Sequence, residues 1–155
     1  WHVRAFDRKT QDFRDFVITR IKHPVVLKGA IVEPHEASDQ DIQWTRIVEL
    51  ELVPHPDQPR PEITEMDYSM QDGVLRMKLR AATAGYILRQ WSVDCSPNHS
   101  LRGPEYRLWL KDSLALYGAK NAVLAPGYET PDATHMRNEP TKANARMSSA
   151  STSKD

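Results

Sequence analysis

The chain has 155 residues, of which 39% are hydrophobic and 27% charged, and its formal net charge at neutral pH is +0. That length suits one medium domain or two small ones, and a mean hydropathy of −0.63 without a long apolar run excludes a membrane-spanning helix. A single cysteine, Cys95, excludes an internal disulfide and fits a reducing, cytoplasmic setting.

Residues 1–6 and 13–18 both read as strands, rich in aromatic and β-branched side chains, with the polar turn DRKTQD between them. If Phe6 faces Phe13 in that hairpin, Arg4 faces Asp15 and His2 faces Val17. Side-chain alternation then puts Trp1, Val3, Ala5, Arg14, Phe16 and Ile18 on the opposite face. A two-stranded hairpin does not stand alone, so Trp1 is expected inside a larger domain and the chain is expected to be the C-terminal part of a longer protein. Residues 22–45 read as a connector, with some strand character in KHPVVLKGAIV followed by the turn-like EPHEASDQD.

The stretch IVELELV, 47–53, alternates cleanly, which predicts a half-buried strand with Val48, Leu50 and Leu52 inward and Glu49 and Glu51 outward. Prolines end it, and a short helix is expected from Pro61 to Tyr68 with the proline in its first turn. Asp72-Gly73 turns into VLRMKL, a second strand with Leu75, Met77 and Leu79 on its apolar face. A helix is predicted from Ala81 to about Ser92, where Gly85 marks close packing. CSPNHSLRGP reads as loop, and EYRLWLKDSLALYG as a short strand to Leu110 and then a helical turn. The order β-α-β-α-β over 46–124 predicts a small α+β sandwich, ferredoxin-like in kind. Residues 125–155 lack periodicity and large apolar side chains and are expected to be a disordered tail.

The zero net charge conceals blocks. Residues 1–30 hold seven basic and three acidic side chains, 31–73 two and eleven, and 74–124 eight and three. These blocks either neutralise one another, in the fold or across a dimer, or the basic ones attract phosphate. There is no Gly-rich phosphate loop, GxSxG or HExxH, and nothing argues for an enzyme or a cofactor. Cys95-x3-His99 offers two metal ligands where zinc needs three or four, so no metal site is expected. Glu49 and Glu51 read more simply as a solvated strand face than as an acid/base pair. His2, Arg4, Arg14 and Arg20 lie on the hairpin and its exit, where guanidiniums can grip phosphate and aromatic neighbours such as Phe16 can stack on bases. The competing reading is a cross-hairpin pair, Arg4 with Asp15. Arg76, Lys78 and Arg80 form a second basic stripe, readable as a solvated face or as the counterpart of an anionic surface.

Taken together, WHVRAFD and FRDFVITRI resemble the WYL-domain pattern, with Trp1, His2 and Val3 followed by Arg14, Phe16, Arg20 and Ile21. His2 stands in place of the tyrosine that gives the motif its name. WTRIVELELVPHP, MDYSMQDGVLRMKLRAATAGYILRQWSVD and LWLKDSLAL resemble the C-terminal extension of these proteins, called WCX. The resemblance covers roughly residues 1–120. It implies the end of an SH3-like (Sm-like) barrel at 1–30, a connector at 31–45 and a WCX domain at 46–124. It further implies a bacterial transcriptional regulator, a repressor in branches that control phage-defence genes. Such a protein would be a homodimer that binds operator DNA through a winged helix-turn-helix absent from these residues. Its basic pocket for a nucleotide or single-stranded nucleic acid would be made by His2, Arg4, Arg14, Phe16 and Arg20. The alternative it leaves open is a purely structural dimerisation module.

Overall fold

A computed structural model describes residues 1–131. Strands β1 (His2–Asp7) and β2 (Asp12–Val17) pair antiparallel in the expected register, Phe6 opposite Phe13 and Arg4 opposite Asp15. The turn is closed by Asp7, whose carboxylate accepts the Lys9 N–H and the Thr10 hydroxyl while its carbonyl accepts the Gln11 N–H. Asp residues favour such turns because their side chains bond the backbone two residues on. The face carrying Arg4 and Asp15 turns toward the rest of the protein. The other is open, and Trp1, expected in an interior, is 99% exposed in this chain.

Residues 22–32, given some strand character from sequence, join no sheet and form no backbone–backbone hydrogen bond among the described residues. Short 3-10 turns at Pro34–Glu36 and Ser38–Gln40 lead to α1 (Ile42–Thr45). Its N-cap, Asp41, accepts the Gln43 and Trp44 N–H groups, the usual remedy for unpaired donors at a helix start.

The second sheet has four strands in the order β4-β3-β6-β5: β3 (Ile47–Pro54), β4 (Leu75–Arg80), β5 (Val93–Asp94) and β6 (Leu108–Leu110). β3 pairs antiparallel with β4 and β6, while β5 and β6 are parallel. The alternation read from sequence holds, since Val48, Leu50 and Leu52 are buried and Glu49 and Glu51 face out. α2 (Pro61–Asp67) ends one residue short of its expected end and α3 (Ala81–Gln90) two. α3 turns Ala81, Ala84 and Leu88 into the core with Leu108, Leu110 and Leu116. Gly85 lets it approach Asn121, whose side chain accepts the Gly85 N–H and donates to the Ala82 carbonyl. A Cβ at Gly85 would strike the Asn121 backbone carbonyl.

The architecture is thus mixed α+β with two sheets and no closed barrel among the described residues. The pairings confirm neither the SH3-like nor the ferredoxin-like refinement. The folded chain also continues past 124: Ala125 is buried and the Pro126 carbonyl accepts the Cys95 N–H. Those residues correct the tail expected from 125 onward, and its part at 132–155 lies outside the described residues.

Candidate functional site

A cleft of about 630 Å³ opens between the hairpin, the 38–44 segment and α3, and His2, Arg4, Asp15, Asp41, Trp44 and Tyr86 are among its lining residues. The Arg4 guanidinium dominates its chemistry. Nε and one terminal nitrogen grip the two oxygens of Asp41, the latter at 2.9 Å, and the other terminal nitrogen reaches Asp15 at 3.0 Å. Asp15 also accepts the Tyr86 hydroxyl at 3.1 Å, and the His2 ring lies 4.9 Å from the Tyr86 ring. The Asp41 hydrogen bonds raise the Arg4 pKa, against the opposing effect of its burial. Burial first, and then the Asp15 charge, raise that of the Tyr86 phenol. One permanent cation faces two carboxylates, so this network carries net negative charge while both acids are ionised.

Of the five residues expected at a basic pocket, the structure brings two together, His2 and Arg4. Arg14 sits opposite Ala5 on the outward face, 3.4 Å from Asp7, and Phe16 shares that face opposite Val3. Arg20 lies on the exposed turn Ile18–Arg20 after β2. The face separation follows from the register itself, because strand side chains alternate. The second stripe is occupied across the sheet and beside it. Arg76 pairs with Glu51 at 3.1 Å and Lys78 with Glu49 at 2.7 Å, while Arg80 donates to the Trp44 carbonyl and stacks 4.6 Å from its ring centroid. Glu51 also receives Lys111, and that hydrogen bond is the largest cause of its lowered pKa.

Cys95 is buried, and burial pushes its thiol up to about 12, which suppresses the thiolate that metal binding or nucleophilic attack requires. His99 packs edge-on to Trp109 and His55 rather than joining a ligand set, and no group of three metal-ligating side chains gathers among the described residues. Sequence reading missed two polar centres. Asp41 could have been found from its N-cap position before Ile42 and Trp44. The His55–Asp94 pair had no local signal. Both residues are buried, with Nε2 3.1 Å from the carboxylate. The Asp57 N–H donates to Nδ1, so Nε2 carries the proton and donates to Asp94. Burial alone would raise the Asp94 pKa. Hydrogen bonds from Ser96, His55 and Leu101 outweigh it and hold the carboxyl below its ordinary value.

Residues 47–116 match the family model described as the BrxR transcriptional regulator, C-terminal dimerization domain. The chain is also similar to curated proteins named DNA-binding transcriptional repressor CapW. The Pseudomonas aeruginosa protein is 32% identical over 96 residues, 61% of this chain and 31% of that protein. The Escherichia coli (strain KTE188) protein is 30% identical over 120 residues, 76% of this chain and 38% of its own length. The Stenotrophomonas maltophilia protein is 33% identical over 99 residues, 61% and 31% respectively. The chain therefore spans about a third of the length of these relatives. The matched region, β3 to the turn at Ser113–Leu116, is similar to the C-terminal domain of a transcription regulator.

Proposed function

We propose that this chain is the C-terminal part of a bacterial, cytoplasmic transcriptional repressor and that its four-stranded sheet module holds two copies together. The observation that carries this reading is the coincidence of the matched region, 47–116, with that sheet and the helices that cover it. In the full-length protein a separate DNA-reading region would bind the operator, and pairing through this module would set the spacing of two such regions. Sedimentation equilibrium of the 155-residue chain tests it. The expected result is a dimer at micromolar concentration, and a monomer up to about 100 μM, where association would be weaker than about −5.5 kcal/mol, overturns it.

A second reading keeps the hairpin as the end of a WYL domain and the cleft as its sensor for a nucleotide or single strand. It is supported by the presence of His2 and Arg4 in the cleft and by the two guanidinium N–H groups that Arg4's three bonds leave over. Arg14 and Phe16, on the opposite face of the hairpin, and Arg20, on the turn after β2, would then contact only parts of such a ligand that extend beyond the cleft. The charge balance supports the structural alternative instead, since two carboxylates already meet the one cleft guanidinium. Titration with mononucleotides and short oligonucleotides separates the two. Binding that weakens in Arg4→Ala and falls with salt supports the sensor, and no binding supports the dimerisation module alone.

A further inference from the structure

Between the exposed turn at Ile18–Arg20 and the turn at Pro34–Glu36 runs a strap whose aliphatic side chains are left exposed by the rest of the described residues. Val25, Val26, Leu27, Ile31 and Val32 are 67–91% exposed. No backbone group from 22 to 32 pairs with another backbone group among the described residues. The strap is nevertheless held at its far end, where Arg8 donates to the Ile31 carbonyl and grips Glu36. It is a tethered segment, rich in β-branched residues and turned at Lys28–Gly29, and five large aliphatic side chains in such a run are a contact surface rather than scattered exposure. At about 60–120 Å² of apolar surface each, they offer about 300–600 Å², a large share of the roughly 800 Å² per partner of a standard interface.

Charge narrows the occupant. From residue 16 to 32 there is no acidic side chain, while Arg20, Lys22 and Lys28 are basic. Among the described residues these three enter no ion pair, although most other cations of the chain do. Strap cannot pair with strap, because like charges would meet. The free edge of β4 is closed to self-pairing for the same reason: centred on Lys78, it would set lysine against lysine and Arg76 against Arg80. The outer side of α2 fits the strap. Met66 is 78% exposed and Ile63 38%, and two carboxylates, Glu65 on the same helix and Asp72 in the turn that follows it, enter no ion pair among the described residues.

We propose that the strap of one copy docks on the α2 face of a second copy, reciprocally, with Val25–Leu27 over Ile63 and Met66 and the lysines toward Glu65 and Asp72. This rests on the dimerisation reading and gives it a location. Two identical contacts related by a twofold axis would close the dimer without leaving a free surface for further addition.

The test is sedimentation equilibrium of the 155-residue chain, with circular dichroism and thermal melting as a check on folding. The strap's lack of backbone bonds predicts that its variants keep the wild-type circular dichroism spectrum and, at concentrations where the wild type is monomeric, its melting temperature. Val26→Glu and the double variant Lys22→Glu/Lys28→Glu are each expected to weaken dimerisation at least tenfold. Glu65→Lys/Asp72→Lys is expected to weaken it alone and to restore it when combined with the lysine reversals. A wild-type chain that stays monomeric overturns the dimerisation reading and this proposal with it. A wild-type dimer indifferent to Val26→Glu leaves that reading standing and overturns the strap. A strap effect without charge-swap rescue overturns α2 as its seat.

Discussion

Replacing Arg4 by alanine removes three charge-assisted hydrogen bonds, two to Asp41 that tie the hairpin to the rest of the protein and one to Asp15 across the hairpin itself. Breaking a fully buried pair costs about 3–5 kcal/mol. Here the Arg4 side chain is 14% exposed and that of Asp41 4%. The carboxylates are not left bare, since Asp41 keeps the Gln43 and Trp44 N–H groups and Asp15 keeps the Tyr86 hydroxyl. The lower end of the range applies, about 3 kcal/mol, or roughly 150-fold in an opening equilibrium. The other ties, Lys120–Asp12 and Arg8–Glu36, each involve a cation some 60% exposed and add little. Because a lone two-stranded hairpin is not stable, the loss falls on β1 and β2 and spares the four-stranded sheet. Amide hydrogen exchange reads this directly. In Arg4→Ala, protection of the hairpin amides should fall by about two orders of magnitude while β3, β4 and β6 keep theirs, in line with local opening units. Arg4→Lys keeps the charge but loses the planar fork and should fall between. Unchanged hairpin protection would refute the clamp and return Arg4 to a ligand-binding role. An equal loss in β3 would refute the independence of the two sheets.

Gly85→Ala gains about 1 kcal/mol of helix propensity but drives a methyl into the Asn121 carbonyl. A net loss of about 2 kcal/mol and a lower Tm are expected, and a higher Tm would show the approach to be looser. Arg76→Ala should lower the unfolding free energy, read from urea denaturation, by no more than about 0.5 kcal/mol, and a loss several times larger would make the β4 stripe more than a solvated face. Asp94 is held below its unfolded pKa, so its contribution is present above the ordinary carboxylate range and fades as pH falls through the folded value. Asp94→Asn should therefore cost about 2 kcal/mol at pH 7 and less at pH 3, and a urea series showing the same penalty at both would refute that account.

What could be read from sequence was local and periodic. The Phe6–Phe13 pairing fixed the whole hairpin register, and the alternation of 47–53 fixed the buried face of β3, because a one-residue slip would reverse every side chain. Gly85 was legible as a packing point because a glycine inside a good helix needs a steric reason. The cleft was not legible, since Arg4 meets Asp41 across 37 residues and no spacing rule links them. Nor was the two-residue strand β5, whose parallel pairing with β6 depends on the path of the loop between them. The charge blocks show where reading passes into folding. Seven of the eleven acidic residues of that block find cations inside the protomer, Asp41 with Arg4, Glu36 with Arg8, Glu49 with Lys78, Glu51 with Arg76, Asp57 with Arg102, Glu62 with Arg60 and Asp67 with Arg107. That settles the larger part of the imbalance without phosphate. Among the described residues Lys9, Arg46, Arg80 and Arg89 are scattered outside ion pairs, whereas Arg20, Lys22 and Lys28 cluster in one stretch beside five exposed aliphatic side chains. Phosphate would answer that charge but leave the apolar surface in water, whereas an acidic, apolar protein face answers both.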